Sequence, residues 1–407
     1  MSVIKYIKVK TKGQIEGEKL LVPKLRFKEF KEEWKFKRLK EISSDISYGM
    51  NSASTDFDGI NKYIRITDID ENSSLYINDP VSPLDKLDDK FLVKENDILF
   101  ARTGASTGKT YLYNKNDGKM YFAGFLIRAN IKKQYNSKFI FSQTKLRKYN
   151  NWIKIMSMRS GQPGINSVEY GSYIFSITDI EEQEKIANFL SLLDKKIELQ
   201  QQKIEALKIY KKGLMQKLIN SNNCEEKSVS EFGTIITGTT PSKLIHSYWN
   251  NGTIAWITPS DITEGKDIYN SHDMLTPDGL KAGRFVPAGS VLITCIASIG
   301  KNAILKIDGS CNQQINAIIP NKNFNADYLY YLFEMKKDYL QSTAGTSATS
   351  IINKSSFEKL AFKVPKLEEQ NKISKILNCL ELKIENEKLK FEKLTFLKKS
   401  LLQQMFI

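Results

Sequence analysis

Residues 180–218 read IEEQEKIANFLSLLDKKIELQQQKIEALKIYKKGLMQKL, and residues 367–405 read LEEQNKISKILNCLELKIENEKLKFEKLTFLKKSLLQQM. The two segments align without gaps at an offset of 187. About 17 of 39 positions are identical, which chance does not produce, so the chain contains a duplication.

Each copy carries a heptad seam. In the first, Ile186, Leu190, Leu193, Ile197, Ile204, Leu207, Leu214 and Leu218 step by alternating fours and threes, with Gln200 and Lys211 in the two remaining seats. In the second, Ile373, Leu377, Leu380, Ile384, Phe391, Leu394, Leu401 and Met405 repeat the steps, with Glu387 and Lys398 in the same two seats. A seam that repeats every 3.5 residues is a coiled-coil signature, and polar residues at seam positions lower stability while fixing register. A helix of about 39 residues spans roughly 58 Å, more than one compact domain needs. The two helices are expected to pack on each other; an antiparallel pair would relate the halves by a pseudo-two-fold axis and hold two heads at a fixed separation.

The segments before the helices also correspond, more weakly. ISYGMNSAS (46–54) parallels IITGTTPSK (235–243), YIRITDI (63–69) parallels AWITPSDI (255–262), NDILFARTGASTGK (96–109) parallels GSVLITCIASIGK (289–301), and SGQPGIN (160–166) parallels SATSIIN (347–353). Within each head, short β-branched and aromatic runs such as KYIRITDI, DILFAR, TYLYN, SVLITCIAS and NAILKI predict strands, whereas SKFIFSQTKLRKYNNWIKIM and ADYLYYLFEMKKDYLQST predict helices. The fold class is α+β: two tandem pseudo-symmetric α/β heads, each followed by a long helix, the helices pairing as an antiparallel coiled coil. The boundaries are an extension at 1–22, a first head at 23–178, a first long helix at 179–221, a second head at 222–364 and a second long helix at 365–407.

Composition narrows the partners. The formal net charge is +15, with 61 Lys and Arg against 46 Asp and Glu, which suits a polyanion such as nucleic acid. Cys224, Cys295, Cys311 and Cys379 form no CxxC pair, so neither a zinc site nor a disulfide framework is signalled. There are only two histidines, His246 and His272, which leaves little material for histidine catalysis or metal binding. No apolar run approaches the roughly 20 residues a spanning helix needs and no signal peptide opens the chain, so a cytoplasmic location away from membranes is expected.

TGASTGKT (103–110) imitates a phosphate-binding loop, but that pattern needs four residues between its first glycine and Gly-Lys. Gly104 to Gly108 leaves three, and the counterpart CIASIGKN keeps only Gly300 and Lys301, so a strand–turn–strand is predicted. LDDK (87–90) contains a nuclease-like fragment without a counterpart in the second half and reads as a surface loop. No catalytic residue and no metal site is assigned. The polar residues suited to DNA lie in the head loops: Tyr48, Arg65, Arg102, Lys109, Arg159 and Gln162 in the first head; Lys243, Arg284, Lys301, Gln313, Gln314, Ser347 and Thr349 in the second. Arginine suits guanine, Asn and Gln suit adenine, and lysine beside a glycine turn suits a phosphate. Asn166 and Asn353 match across the duplication, which favours a shared turn or cap over base reading.

These residues resemble the specificity subunit of type I restriction–modification enzymes. PKLRF (23–27) looks like the family's opening, TTPSKLIHSYWNNGTIAWITPSDI (239–262) is close to its T-P-S…Y-W…W-[IV]-T-P-S-D-I signature, YGMNSASTDFDGINKYIRITDID (48–70) resembles a variant of the same segment, and P-x-LEEQ-x-K-I (365–373) is the usual lead-in to its helices. TDIEEQ (178–183) lacks that proline, which leaves the start of the first helix open. The resemblance implies a DNA-binding target recognition domain in each head, reading one half of a bipartite, asymmetric double-stranded site. It implies helices that set the gap and dock two methyltransferase (modification) subunits, with restriction/translocation subunits completing the complex. It implies a non-catalytic chain that binds no cofactor itself, S-adenosylmethionine, ATP and Mg being carried by its partners. The other classes the sequence leaves are a coiled-coil scaffold and a stand-alone nuclease or NTPase built on GASTGKT and LDDK.

Overall fold

A computed structural model describes residues 7–9, 21–71, 73–158, 163–220, 224–262, 265–344 and 351–407. The chain divides into two compact units, 1–199 with 391–407, and 200–390.

In the first unit the central strands are short and buried on both faces, as an unbroken apolar run such as DILFA requires. Ser43–Tyr48, Leu126–Ile131, Asp97–Ala101 and Thr110–Leu112 lie side by side in that order, all antiparallel. Met120–Phe122 pairs in parallel with Lys62–Ile64, and Lys35–Arg38 pairs antiparallel with Ile174–Ile177. The second unit repeats the scheme: Gly233–Thr237, Ile315–Pro320, Val291–Thr294 and Asn302–Leu305 form the same antiparallel run, with Asp267–Ile268 added in parallel at the edge. Gly309–Cys311 pairs in parallel with Ile254–Ile257, and Glu225–Ser228 pairs antiparallel with Ala361–Val364. The predicted strands are therefore present, and the two heads share one topology.

The helical runs each divide in two. Residues 137–156 form Ser137–Gln143 and Arg147–Met156, and residues 326–343 form Ala326–Met335 and Lys337–Thr343. Asn136 caps the first pair by accepting from the Phe139 amide at 3.0 Å, and Asn325 caps the second by accepting from Tyr328 at 2.9 Å.

The long helices run Ile180–Ile219 and Leu367–Gln404. Their starts keep the offset of 187 although Thr178 stands where the second copy has Pro365, because a matched glutamine fixes the start of each helix. Gln183 accepts from the Asn136 amide at 3.0 Å and donates to the Thr178 carbonyl at 2.6 Å. Gln370 accepts from the Asn325 amide at 3.0 Å and donates to the Pro365 carbonyl at 2.9 Å. In the first unit Glu182 adds a buried fork to Arg26 at 2.7 and 2.8 Å and accepts from Trp34 Nε1 at 3.1 Å.

The seam residues divide between the two units. In the first, Ile186 and Leu190 join Leu402, Met405 and Phe406 in the head's core, with Leu193 and Leu401 packed against it and Trp34 edge-on to Phe406 at 6.0 Å. In the second, the seam residues Ile373 and Leu377 are core residues, with Leu214 and Leu218 packed against that core; Met215 and Ile219, each one position past a seam seat, lie in it. Ile204, Leu380 and Ile384 are buried, and Ile197, Leu207, Phe391 and Leu394 are half-buried. No residue assigned to the seam is exposed.

The polar seats close on one another. Gln200 donates to Glu387 Oε2 at 2.7 Å and to its carbonyl at 3.0 Å, and these two residues are counterparts across the duplication. In the first unit Lys398 pairs with Asp194; in the second its counterpart Lys211 pairs with Glu381, the counterpart of Asp194. Each unit thus contains the same ion pair with the helices' roles exchanged. In both units residues rising along one helix meet residues falling along the other, which is antiparallel pairing. Bonds from Gln200, Lys390 and Lys203 hold the Glu387 carboxyl down at about 2.

Candidate nucleic-acid interface

The main sheet of each head has two unlike ends. One is tied to a long helix through Gln183 or Gln370. The other lies at the far ends of the strands, roughly 17 Å away along a six-residue strand, and collects the loops that carry most of the polar residues singled out above.

In the first head this far end is built by Gly49 donating to Leu126 O at 3.2 Å, Arg102 donating its backbone N–H to Phe125 O at 3.0 Å, and Ile165 donating to Arg102 O at 2.9 Å. The second head repeats it with Gly238 to Ile315 O at 3.0 Å, Cys295 to Gln314 O at 2.8 Å and Ile352 to Cys295 O at 2.9 Å. The glycine is obligatory at both positions: a Cβ would stand 2.2 Å from Ala123 O at Gly49 and 2.1 Å from Asn312 O at Gly238. The backbones therefore match seat for seat: Tyr48 with Thr237, Arg102 with Cys295, and Phe125 with Gln314.

The side chains on these seats differ. Arg102 lies over the Tyr48 ring at 5.0 Å, and the Tyr48 hydroxyl accepts from the Ser167 amide at 3.0 Å. Burial works to raise the Tyr48 phenol, but the Ser167 bond and the Arg102 charge outweigh it and hold it below its ordinary value. Phe125, which the polar pattern of the sequence does not single out, is 58% exposed beside them. An exposed aromatic in a Gly-Phe turn between two apolar strands is the signal that would have found it. In the second head Arg284 reaches the same region from another segment, donating to Thr237 O at 2.8 Å. Gln314 accepts from Asn312 at 3.0 Å, and Gln313 accepts from Thr240.

The Gly-Lys turns lie at the same end of each sheet. Gly108 donates to Ala101 O at 2.9 Å and Gly300 to Thr294 O at 3.0 Å, each at positive φ, so GASTGKT is the predicted strand–turn–strand. Lys301 is exposed, whereas Lys109 is half-buried with its ammonium 4.0 Å from Glu71.

Beside the second head's seats lies a cleft of about 480 Å³ lined by Lys243, Trp256, Thr258, Asp261, His272 and Gln314. Lys243 lies over the Trp249 and Trp256 rings at 5.4 and 5.6 Å and pairs with Asp273 at 3.3 Å. The cleft's floor is a turn shared by both heads: Asp261 accepts from the Thr258 amide at 2.7 Å as Asp68 accepts from the Arg65 amide at 2.8 Å.

That turn gives Arg65 a structural role. Its guanidinium forks onto Asp68 at 2.9 and 2.8 Å, which leaves it committed within the head. Asn166 and Asn353 are helix caps, accepting from the amides of Glu169 at 2.9 Å and Ser356 at 2.8 Å. Arg159, Gln162, Ser347 and Thr349 lie outside the described residues. Among the described residues no helix is long and apolar enough to cross a membrane.

The family model described as type I restriction modification DNA specificity domain matches residues 31–208 and again 222–395. The chain is 35% identical over 187 residues to the type I restriction enzyme MjaIX specificity subunit of Methanocaldococcus jannaschii, covering 44% of this chain and 43% of that protein. It is 30% identical over 163 residues to the EcoR124I/EcoR124II specificity subunit of Escherichia coli, spanning 40% of its length. Against the M. jannaschii protein described as a putative type I restriction enzyme MjaX specificity subunit, the match is 25% over 405 residues, covering 92% of this chain and 93% of that one. Among solved structures, the S subunit of a type I restriction-modification system from M. genitalium has the same fold, with a TM-score of 0.58 at 16% identity, covering 95% of this chain and 99% of that one. A chain of another type I R-M system gives 0.61 at 15%, covering 92% and 97%. The chain carries two copies of the type I restriction modification DNA specificity domain and belongs to that family.

Proposed function

We propose that this chain is the DNA-specificity subunit of a type I restriction–modification complex, that each head reads one half of a bipartite, asymmetric double-stranded site, and that the paired helices set the gap. The observation that carries the proposal is the contrast between a shared frame and diverged seats. Gln183 and Gln370, Asn166 and Asn353, and the Gly-Lys turns do the same work in both heads. The seats at the far strand ends carry Tyr, Arg and Phe in one head and Thr, Cys and Gln in the other. Two modules that present different groups on one frame suit two different half-sites.

The net charge of +15 supplies the sequence-independent attraction to phosphate. The chain itself is non-catalytic in this reading and acts in the cytoplasm, with S-adenosylmethionine, ATP and Mg held by partner subunits. The helices dock two methyltransferase subunits, through which restriction subunits join. Large apolar residues outside the seam support that docking. Leu192, Leu199 and Phe396 are exposed in the first unit, and Ile209, Tyr210, Leu382 and Leu389 in the second. Ile209 and Phe396 are counterparts, 73% and 74% exposed, as two copies of one partner would need.

Methylome sequencing of a host carrying the chain with its methyltransferase tests the reading. The expected result is a two-part methylated motif with a fixed gap. Removing seven residues, one heptad, from each helix shortens the pair by about 10 Å and is expected to shorten the gap by about three base pairs with both half-sites unchanged. Altered half-sites with an unchanged gap would refute the ruler.

A further inference from the structure

We infer that Arg102, fixed over the Tyr48 ring at the far strand end of the first head, is a base-reading residue whose target is guanine, with Tyr48 as its positioning residue. The inference rests on the DNA-recognition reading above and names the group that performs it.

The arginines of the first head have different commitments. Arg26 is forked onto buried Glu182, Arg65 onto Asp68, and Arg128 pairs with Asp45 at 2.9 Å. Arg102 pairs with no carboxylate among the described residues. Its Nε is buried and lacks a hydrogen-bond partner, as does that of Arg128, but the other two nitrogens of Arg128 are taken by Asp45, Ser47 and the Lys90 and Leu92 carbonyls. A folded protein retains few such donors, and each asks for a reason. The Arg102 side chain is nevertheless held in place. Its backbone N–H and C=O are both bonded, to Phe125 and Ile165. The ring beneath it is itself fixed by Ser167. A cation held face-on to an aromatic ring loses little further freedom when it binds.

The second head is an internal control. At the position of Arg102 the same backbone carries Cys295, and at that of Tyr48 it carries Thr237, with no change in the bonds that build the frame. The Arg–Tyr stack is therefore not needed to build this end of the sheet. A side-chain pair that the frame does not require, on the seats where the heads diverge, belongs to what the heads do differently. A guanidinium presents a planar fork of donors, and in the major groove guanine presents the matching O6 and N7 acceptors.

The test uses the full chain in complex with its methyltransferase, comparing the parent with Arg102→Gln, Arg102→Lys, Tyr48→Phe and Tyr48→Ala by methylome sequencing. Arg102→Gln is expected to lower discrimination at one G·C pair of one half-site by about 5- to 150-fold, leaving the other half-site and the gap unchanged. Tyr48→Phe, which keeps the ring but loses the Ser167 bond that fixes it, relaxes the same G·C pair less than Tyr48→Ala does. A variant too weak to methylate is compared as purified complex on duplexes that differ at single base pairs. Loss confined to one G·C pair supports the inference. Unchanged discrimination, an effect at an A·T pair, or equal loss on every duplex overturns it. A parent complex that methylates no bipartite motif overturns the DNA-recognition reading as well, whereas a normal parent motif with insensitive Arg102 variants overturns this inference alone.

Discussion

Replacing Gln183 by leucine should loosen the junction between the first head and its long helix without disturbing the second head. The glutamine is 1% exposed, and its amide closes two backbone groups, the Asn136 N–H at 3.0 Å and the Thr178 C=O at 2.6 Å. Leucine fills most of the volume but closes neither. A buried backbone group stripped of its partner costs about 1–3 kcal/mol, and some relaxation is expected, so the two together should cost about 2–4 kcal/mol. Hydrogen exchange read by mass spectrometry localises the effect. Peptides covering 132–143 and 174–184 should lose roughly thirtyfold to several hundredfold of their protection while those covering 320–332 keep theirs. Gln370→Leu should give the converse pattern, because Gln370 closes Asn325 N–H and Pro365 C=O in the same way. Gln183→Glu separates acceptor from donor. The carboxylate still accepts from Asn136 but sets an anionic oxygen against Thr178 O, so the loss at neutral pH should match or exceed that of leucine and diminish in acid, where a protonated carboxyl can donate. A cost below about 1 kcal/mol, or equal loosening in both units, would refute the anchoring argument.

Gly108→Ala should cost about 2–3 kcal/mol in the first unit, since φ is +93° and the added Cβ would stand 2.7 Å from Ile153 Cγ2; Gly59→Ala, at φ +88° with nothing within 4 Å, should cost only about 1 kcal/mol, and equal costs in denaturant melts would discount the contact. The Glu387 carboxyl, held at about 2 against an ordinary 4.5, contributes stability that is present above pH 4.5 and is lost as pH falls toward 2. Acid titration followed by helical circular dichroism should therefore show the gap between the parent and Glu387→Gln closing over that window, and a constant gap would contradict the assignment. Lys145 is pushed down to about 7 by burial and then by the Lys398 charge, so between pH 7 and 10.5 the unfolded chain binds more protons and stability rises with pH. The stability of Lys145→Met relative to the parent should accordingly fall between pH 7 and 10, and a difference flat in pH would show that the ammonium is not desolvated.

The helices were legible in the sequence because their constraint is periodic. Each seam seat meets a like surface every 3.5 residues, so a linear pattern carries the three-dimensional one, polar seats included. Gln200 and Glu387 could be recognised as matched seats, and they bond to each other. The heads were legible as strands but not as a topology, since pairing Ser43–Tyr48 with Leu126–Ile131 is a contact between residues 79 to 88 apart. The helix breaks near Thr144 and Lys336 were missed because the apolar spacing continues across them. Thr178 for Pro365 left the first helix's start open, and the fixing residue proved to be Gln183, whose role depends on the buried amide of Asn136 rather than on local propensity.

For the candidate interface, residue type was informative and commitment was not. Arg65 and Arg102 look alike in sequence, each ending an apolar strand in the first head. The structure separates them by what lies three residues on. Asp68 turns back to fork Arg65, whereas Arg102 is followed by Thr-Gly-Ala and rests on the Tyr48 ring instead. Phe125 was passed over because an apolar residue in an apolar run gives no sign of facing outward, and its exposure comes with its place in the Gly124–Phe125 turn. These cases share a cause. Which polar groups remain available for DNA depends on which ones the head itself consumes, and that is settled by long-range packing. The duplication partly makes up for this. Where both copies keep a residue, as at Asn166 and Asn353, the frame requires it; where the same backbone carries Arg102 in one copy and Cys295 in the other, the frame does not. Two diverged copies in one chain therefore supply, position by position, a separation of scaffold from surface that neither copy supplies alone.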